Sequence, residues 1–546
     1  MSKHFFWILA VFALVGCSQE KVRKTHHESV LPSLYVTMQS EQMDSVLKDK
    51  NHKANAEALL LSEEQDTIYY GELSYVKTRG NTTFKKEKKP FAIKFPYKMR
   101  LFGLNKNRTF VLLANAYDES HIRNAIGLDM ARVMGIPSSR YAFLRLYIND
   151  KYQGLYQITN KVDVGKQALN ITDLDKLNLQ ANPCPLNEYA SFDHAEANQY
   201  ARQKGVSLER NPDDITGGYL IDVSTMGMFD SSVSGFVSDA GDPIRIRSPK
   251  YASSEEVTYI TDLYNQMEKA VLAQDGYNPQ TGKHYSEYID VESFVHYYLL
   301  NEILMNYDGG CASFMMYKDT DAIDPKIYAG PAWDYDRILW NAAFGTTFII
   351  LPNELYVGCE RKREDGLHSG GLLYRLMQHN DFQENVKSCY NKEIGPICHE
   401  YLESGYWDSL VENLYSEVER DNQVYKSRNS KDYEAAVSRT MDFFSDRVDF
   451  FDWFFSTKEN ERVKLTITKP DGNKVFVYYP LGTAIYTPQT ELQNNGSPVC
   501  ELYIEGTDDL VKDGTVFNTA QNLELRLRKP NWREIQMRRI RRKFKK

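Results

Sequence analysis

Asn306-Tyr307-Asp308-Gly309-Gly310 and, a turn and a strand later, Ala332-Trp333-Asp334-Tyr335-Asp336 are the stretches on which the reading of this chain turns. The first lies just past a segment that Asp290 caps and that runs through Val291, Phe294, Val295, Tyr298, Leu299 and Met305. That segment is apolar nearly all round, the mark of a buried helix. Between the two stretches Ser313 to Tyr317 reads as a strand, and Tyr328 to Trp333 as another. An acid leaving a core helix and two acids ending an apolar strand can face one cleft. In a strand, residues i and i+2 share a face, so Asp334 and Asp336 are expected to point the same way. Paired carboxylates suit a hard divalent cation such as Mg²⁺, which takes oxygen ligands. Asp308 beside them is suited to orient or deprotonate a nucleophile. The competing reading makes all three solvated turn residues or helix caps.

Phosphate chemistry at such a cleft needs cations opposite the acids. Arg79, Lys88, Lys89 and Lys94 supply them. Lys94 stands inside the apolar strand Phe91-Ala92-Ile93-Lys94-Phe95, where a lysine must snorkel or pair. Protein kinases use a strand lysine on nucleotide phosphates. Most of the run Lys85 to Lys89 reads as a solvated basic loop, and Lys89 and Lys94 are the two singled out from it and the strand.

Working outward, residues 31–165 form a strand-rich part. Tyr35 to Thr37, Ala58 to Leu61, Thr67 to Lys77 and Thr109 to Leu113 read as strands. Asp118 starts a helix through Ile122, Ile126 and Met130 that Gly135 and Pro137 close. Tyr141 to Ile148, Asn149-Asp150 and Gly154 to Thr159 read as a hairpin. Residues 166–455 are expected to be mainly helical, with Ser253 to Gln274 the clearest helix. Residues 460–528 alternate like strands and are read as a small accessory β-domain. The fold class is therefore α+β.

The series Arg79-Gly80-Asn81-Thr82-Thr83, Lys88 to Lys94, Val111 to Asn115 with Asp118 and Arg123-Asn124, and Tyr152-Gln153-Gly154-Leu155-Tyr156 resembles the spore-coat protein H (CotH) kinase family. Gly217-Gly218-Tyr219-Leu220, Asp290 to Glu302, Asp308 with Tyr317, and Trp333-Asp334-Tyr335-Asp336 continue it in order, so that it covers residues 33 to 345. The resemblance implies an atypical, two-lobed protein-kinase-like fold using ATP and Mg²⁺ or Mn²⁺. It implies a catalytic role for Asp308 and metal binding by Asp334, with Asp336 a second ligand. Arg79, Lys89 and Lys94 fall in the nucleotide-side basic region. Glu302 matches a commonly acidic position and reads as a structural partner. Three positions depart from the pattern. Ser313 stands where the family usually has Asn, Asn160 replaces a frequent Glu, and Arg337-Ile338-Leu339-Trp340 replaces a Thr-Phe-Gly type ending.

At the N-terminus, Lys3, an apolar run from Phe5 to Leu14 and then Leu14-Val15-Gly16-Cys17 read as a signal peptide over residues 1–17. The last four residues resemble the bacterial lipobox, in which the cysteine is lipidated. An exported protein held to a membrane of the cell envelope by a lipid on Cys17 is expected, with residues 18–30 as a tether. The remaining six cysteines show no CxxC pair and no histidine partners at zinc spacing, so a structural metal site is not expected. A net charge of −8 disfavours a nucleic-acid binder. The basic tail, residues 529–546, reads as a solvated end or as a contact to an anionic lipid or polysaccharide surface.

Three functional readings follow. The first is a phosphotransferase acting from ATP onto hydroxyls of a protein substrate outside the cytoplasm. The second is a catalytically silent kinase-like surface or coat component. The third is a glycoside hydrolase using Asp308 and Asp334 as its carboxylate pair.

Overall fold

The computed structural model describes residues 29–528, apart from 167, 196–201, 307, 311–312, 340–350, 356, 358–360, 363–367, 370, 426–432, 469–473, 486–500, 507–509 and 513. The lipidation expected at Cys17, nearly all of the tether and the basic tail lie outside these residues. The end of the tether is described: Arg145 Nη2 donates to the carbonyl of Ser29 at 2.5 Å, and Ser29 N donates to Ser416 Oγ at 2.9 Å.

Seven strands close a barrel: β1 (Ser33–Thr37), β2 (Ala54–Leu61), β3 (Thr67–Thr78), β4 (Phe91–Met99), β5 (Asn107–Leu113), β6 (Tyr141–Ile148) and β7 (Lys151–Asn160). The order is β1-β2-β3-β4-β5-β7-β6, and the β1–β6 pair that completes the ring is parallel. Two-residue alternation drives it, because the strands bury one face against the barrel interior. Leu73, Val76, Phe91, Ile93, Phe95, Phe110, Leu112 and Leu144 fill that interior. Helix α1 (Ser40–Lys48) lies against it, and α2 (Arg123–Val133) is buried from Arg123 to Ala131.

The stretch expected to be mainly helical carries a seven-stranded antiparallel sheet, order β14-β13-β10-β12-β11-β9-β8. Its strands are β8 (Ser191–Ala195), β9 (Arg202–Val206), β10 (Tyr219–Val223), β11 (Ser234–Val237), β12 (Pro243–Ser248), β13 (Phe314–Lys318) and β14 (Tyr328–Ala329). Helices α3 (Leu174–Ala181), α4 (Met226–Asp230), α5 (Ser254–Leu272) and α6 (Val291–Ile303) accompany it. Helices α7 (Gly371–Leu376), α8 (Asn380–Cys389), α9 (Gly395–Ser404), α10 (Asp408–Val424) and α11 (Tyr433–Ser456) complete the body. One core of apolar side chains joins α2, the sheet and these helices.

Toward the C-terminus β15 (Glu354–Leu355), β18 (Arg462–Thr468), β19 (Lys474–Pro480), β21 (Glu501–Ile504) and β23 (Gln521–Arg528) form a five-stranded sheet, order β15-β19-β18-β23-β21. Two short pairs accompany it, β16 (Arg361–Lys362) with β17 (His368–Ser369) and β20 (Ala484–Ile485) with β22 (Thr515–Val516). Strand β15 comes from the middle of the chain. The ring of Tyr478 packs against Phe454 of α11 at 4.9 Å, so this sheet leans on the helical body. Among the described residues no helix is long and apolar enough to cross a membrane.

Candidate active site

Helix α6 begins as its sequence dictates: Asp290 accepts from Ser293 N at 2.8 Å, filling a donor that the first turn leaves unpaired. At its far end the chain turns through Asn301 and Asn306. Asn306 Nδ2 donates to Asn301 Oδ1 at 2.8 Å, and Asp308 N donates to Asn306 Oδ1 at 3.1 Å. Asp308 is thereby presented at the edge of the core, its side chain 20% exposed, with Arg337 Nη1 3.5 Å from Oδ2.

Asp334 does not lie in a strand. Strand β14 ends at Ala329, and Asp334 adopts a left-handed backbone with φ of +73°. The i, i+2 argument for a shared face therefore fails, and the acids are brought together by a loop. That loop is held by α2 and its N-terminal turn. Tyr335 N donates to Asn124 Oδ1 at 2.9 Å, Arg123 Nε donates to the carbonyl of Ile338 at 2.9 Å, and Arg123 Nη2 to that of Leu339 at 3.2 Å. Asp118 in turn fixes Arg123, accepting from Arg123 N at 2.9 Å and Nη1 at 2.5 Å. Ser313, also left-handed with φ of +55°, donates its hydroxyl to Asp334 Oδ2 at 3.1 Å. Non-glycine residues held in this region are costly and cluster at functional sites.

Asp336 is buried. Burial, and next the neighbouring Asp334, push its carboxyl well above the usual carboxylate range; Asp308 and Asp118 add to this and Arg337 opposes it. The three aspartates singled out from sequence thus lie within electrostatic reach of one another. Asp334 and Asp336 offer hard oxygen donors of the kind a divalent cation takes. Their donor type fits such an ion, with water needed to complete its shell.

Across from them, Arg79 follows directly on β3. Its guanidinium lies 5.5 Å from the Trp333 ring centroid. Burial pushes it below its ordinary value, Asp334 and Asp336 pull it back up, and Arg247 lowers it. Arg79, Thr83, Pro90, Asn115, Trp333, Asp334 and Asp336 enclose room of about 40 Å³. That suits an ion and its water but is far below the several hundred Å³ of ligand pockets.

The other two cations expected here go elsewhere. Lys89 Nζ donates to the carbonyl of Phe84 at 2.7 Å and that of Lys86 at 3.3 Å, closing its own loop. Lys94 points from the outer barrel face, 5.8 Å from the Tyr75 ring. Lys88, set aside as loop, is buried on Asp421 at 2.6 Å. Glu302 is structural: it pairs with Arg447 Nη2 at 3.1 Å and accepts from Val357 N at 2.9 Å, both fully inside the body. Lys77 of β3 lies on the barrel face that Tyr75 and Lys94 share and is not among the residues lining the cleft.

A family model described as CotH kinase protein matches residues 76–451, more than half of the chain. Among curated proteins none matches it.

Proposed function

The chain belongs to the CotH kinase family, and from that premise we propose that it is an atypical phosphotransferase moving the terminal phosphate of ATP onto a protein hydroxyl. What supports this reading is that Asp334 and Asp336 line one small cleft with Arg79, with Asp308 near enough to raise the Asp336 carboxyl. Asp334 and Asp336 would hold Mg²⁺ or Mn²⁺, with the Ser313 hydroxyl orienting Asp334. When bound, such an ion neutralises phosphate charge and orients the leaving oxygen. Arg79 supplies the positive wall for the phosphate chain. Asp308 accepts the proton of the acceptor hydroxyl, and Arg337 keeps its carboxylate turned toward the cleft. We further place the protein outside the cytoplasm, lipidated at Cys17; incorporation of labelled fatty acid into wild type but not Cys17→Ala tests that.

Autophosphorylation with labelled ATP and Mg²⁺ or Mn²⁺ tests the activity. Asp308→Ala is expected to lower the rate by about 10²–10⁴, the usual worth of a positioned base. Asp334→Ala is expected to abolish Mg-nucleotide binding. A folded wild type that binds no nucleotide sinks the proposal. The second reading, a silent kinase-like module, is favoured by the contact of Arg337 with Asp308 and by Ser313; it expects nucleotide capture without turnover.

A further inference from the structure

Away from the cleft, on the seam between α6 and the segment joining α8 to α9, three side chains of mixed chemistry converge. His296 projects from α6, Cys389 ends α8, and Glu393 lies in a single π-helical turn, Tyr390–Ile394. One nitrogen, one sulfur and one carboxylate oxygen from these residues all lie within 4.8 Å of one another. His296 Nε2 stands 3.8 Å from Glu393 Oε2. We propose that His296, Cys389 and Glu393 form a binding site for a transition metal of the Zn²⁺ class, separate from the carboxylate cleft.

The ligand types make the choice of ion. Imidazole and thiolate suit Zn²⁺, Co²⁺ and their neighbours, whereas Mg²⁺ takes oxygen. Bond lengths near 2.0–2.3 Å in a tetrahedron put ligand atoms about 3–4 Å apart. A side-chain rotation of Glu393, 59% exposed, closes the remaining distance, while His296, 14% exposed, is held by its helix. The π turn matters here, because it breaks the α-helical register just after Cys389, and such insertions concentrate at functional sites. Glu292, one turn before His296 on the same helix face, acts on Cys389 and can fill the fourth position, as can water. Binding forms the metal–sulfur bond as the Cys389 thiol proton leaves to solvent. Sequence spacing gave no hint of this set, since His296 lies far along the chain from the neighbouring Cys389 and Glu393.

The consequence is a clip. Helix α6 runs from this site to Asn301, which fixes the turn carrying Asp308. A metal joining its first turns to α8 restrains the helix that presents the acid.

The test uses the full chain, freed of metal by a chelator and titrated with Co²⁺. One equivalent is expected to give tetrahedral visible bands and a sulfur-to-cobalt charge-transfer band, both displaced by Zn²⁺ and untouched by Mg²⁺. Cys389→Ser and His296→Ala are expected to lose the charge-transfer band and the rise in Tm that Zn²⁺ gives. Cys184→Ser, at an exposed thiol elsewhere, and Asp334→Ala keep both. Absence of the band in folded wild type, or its survival in Cys389→Ser, overturns the site. Because Asp334→Ala retains it, its failure is distinguishable from failure of the phosphotransfer reading.

Discussion

A methyl group on Gly127 of α2 would lie 2.2 Å from Cγ of Tyr335, closer than any real contact. The loop bearing Asp334 and Asp336 therefore packs directly on helix backbone, and Tyr335 is its buried peg. Gly127→Ala, favourable by helix propensity alone, is expected to destabilise by about 1–3 kcal/mol through this overpacking. It should also lower divalent-cation binding, since the aspartates flank the displaced ring. Unchanged urea midpoint and cation affinity would remove Tyr335 as the anchor. On the opposite wall, Arg79→Ala is expected to weaken Mg-nucleotide binding about 10–100-fold, the worth of a lost charged hydrogen bond. Lys89→Ala should leave that affinity alone, because its ammonium is occupied by carbonyls of its own loop. Calorimetric titration of the two variants distinguishes them. Asp308, Asp334 and Asp336 were legible as a cluster because acids beside apolar segments are conspicuous. That Lys89 and Lys94 turn away was not, because residue type does not reveal whether a lysine folds back onto its loop or stays on a strand's outer face.

Caps and periodicity made helices readable. Ser253 starts α5 with a reciprocal cap, accepting from Glu256 N at 3.2 Å while Ser253 N donates to Glu256 Oε2 at 2.8 Å. In the seven-stranded sheet β13 and β14 were readable, whereas strands such as β11 and β12 carry too little alternation to declare themselves. Helix α5 that covers part of this sheet also carries a pH dependence. Burial, and then Asp242, push Glu268 up to about 8; burial pushes Glu256 up to about 7. Each acid holds its proton more tightly folded than unfolded. The stability it contributes is therefore complete below the ordinary value of 4.5 and is lost as pH rises toward 7 to 8. The urea midpoint is expected to fall between pH 5 and pH 8. Glu268→Gln, which still accepts from Ser238 Oγ or Ala240 N, should flatten that fall. A variant with the wild-type slope would assign the dependence to other groups.

How the barrel is fastened to the helical body could not be read from sequence, because the fastening joins β7 to α10 across the length of the chain. Asp421 of α10 is fully buried and accepts from Leu155 N at 2.9 Å, while Lys88 Nζ lies 2.6 Å away and donates to the carbonyl of Leu155 at 2.5 Å. Glu417, one turn earlier, takes Arg145 Nε and the Tyr152 hydroxyl, both at 2.6 Å. This explains a glycine of the hairpin motif: Gly154 has φ of +109°, and a Cβ there would meet Asp421 Oδ1 at 2.2 Å. Since β7 also pairs with β5, and Arg79 enters the cleft from β3 of the same barrel, the clasp sets where the positive wall stands relative to the acids. Asp421→Ala leaves Lys88 charged inside the protein and is expected to cost about 3–5 kcal/mol, whereas replacing the pair together by Lys88→Met and Asp421→Leu should cost far less. If the clasp alone couples the two parts, Asp421→Ala should also split a single denaturation transition into two, with barrel and body fluorescence separating. A single transition at the wild-type midpoint would show that the shared apolar core around α2 holds them without it.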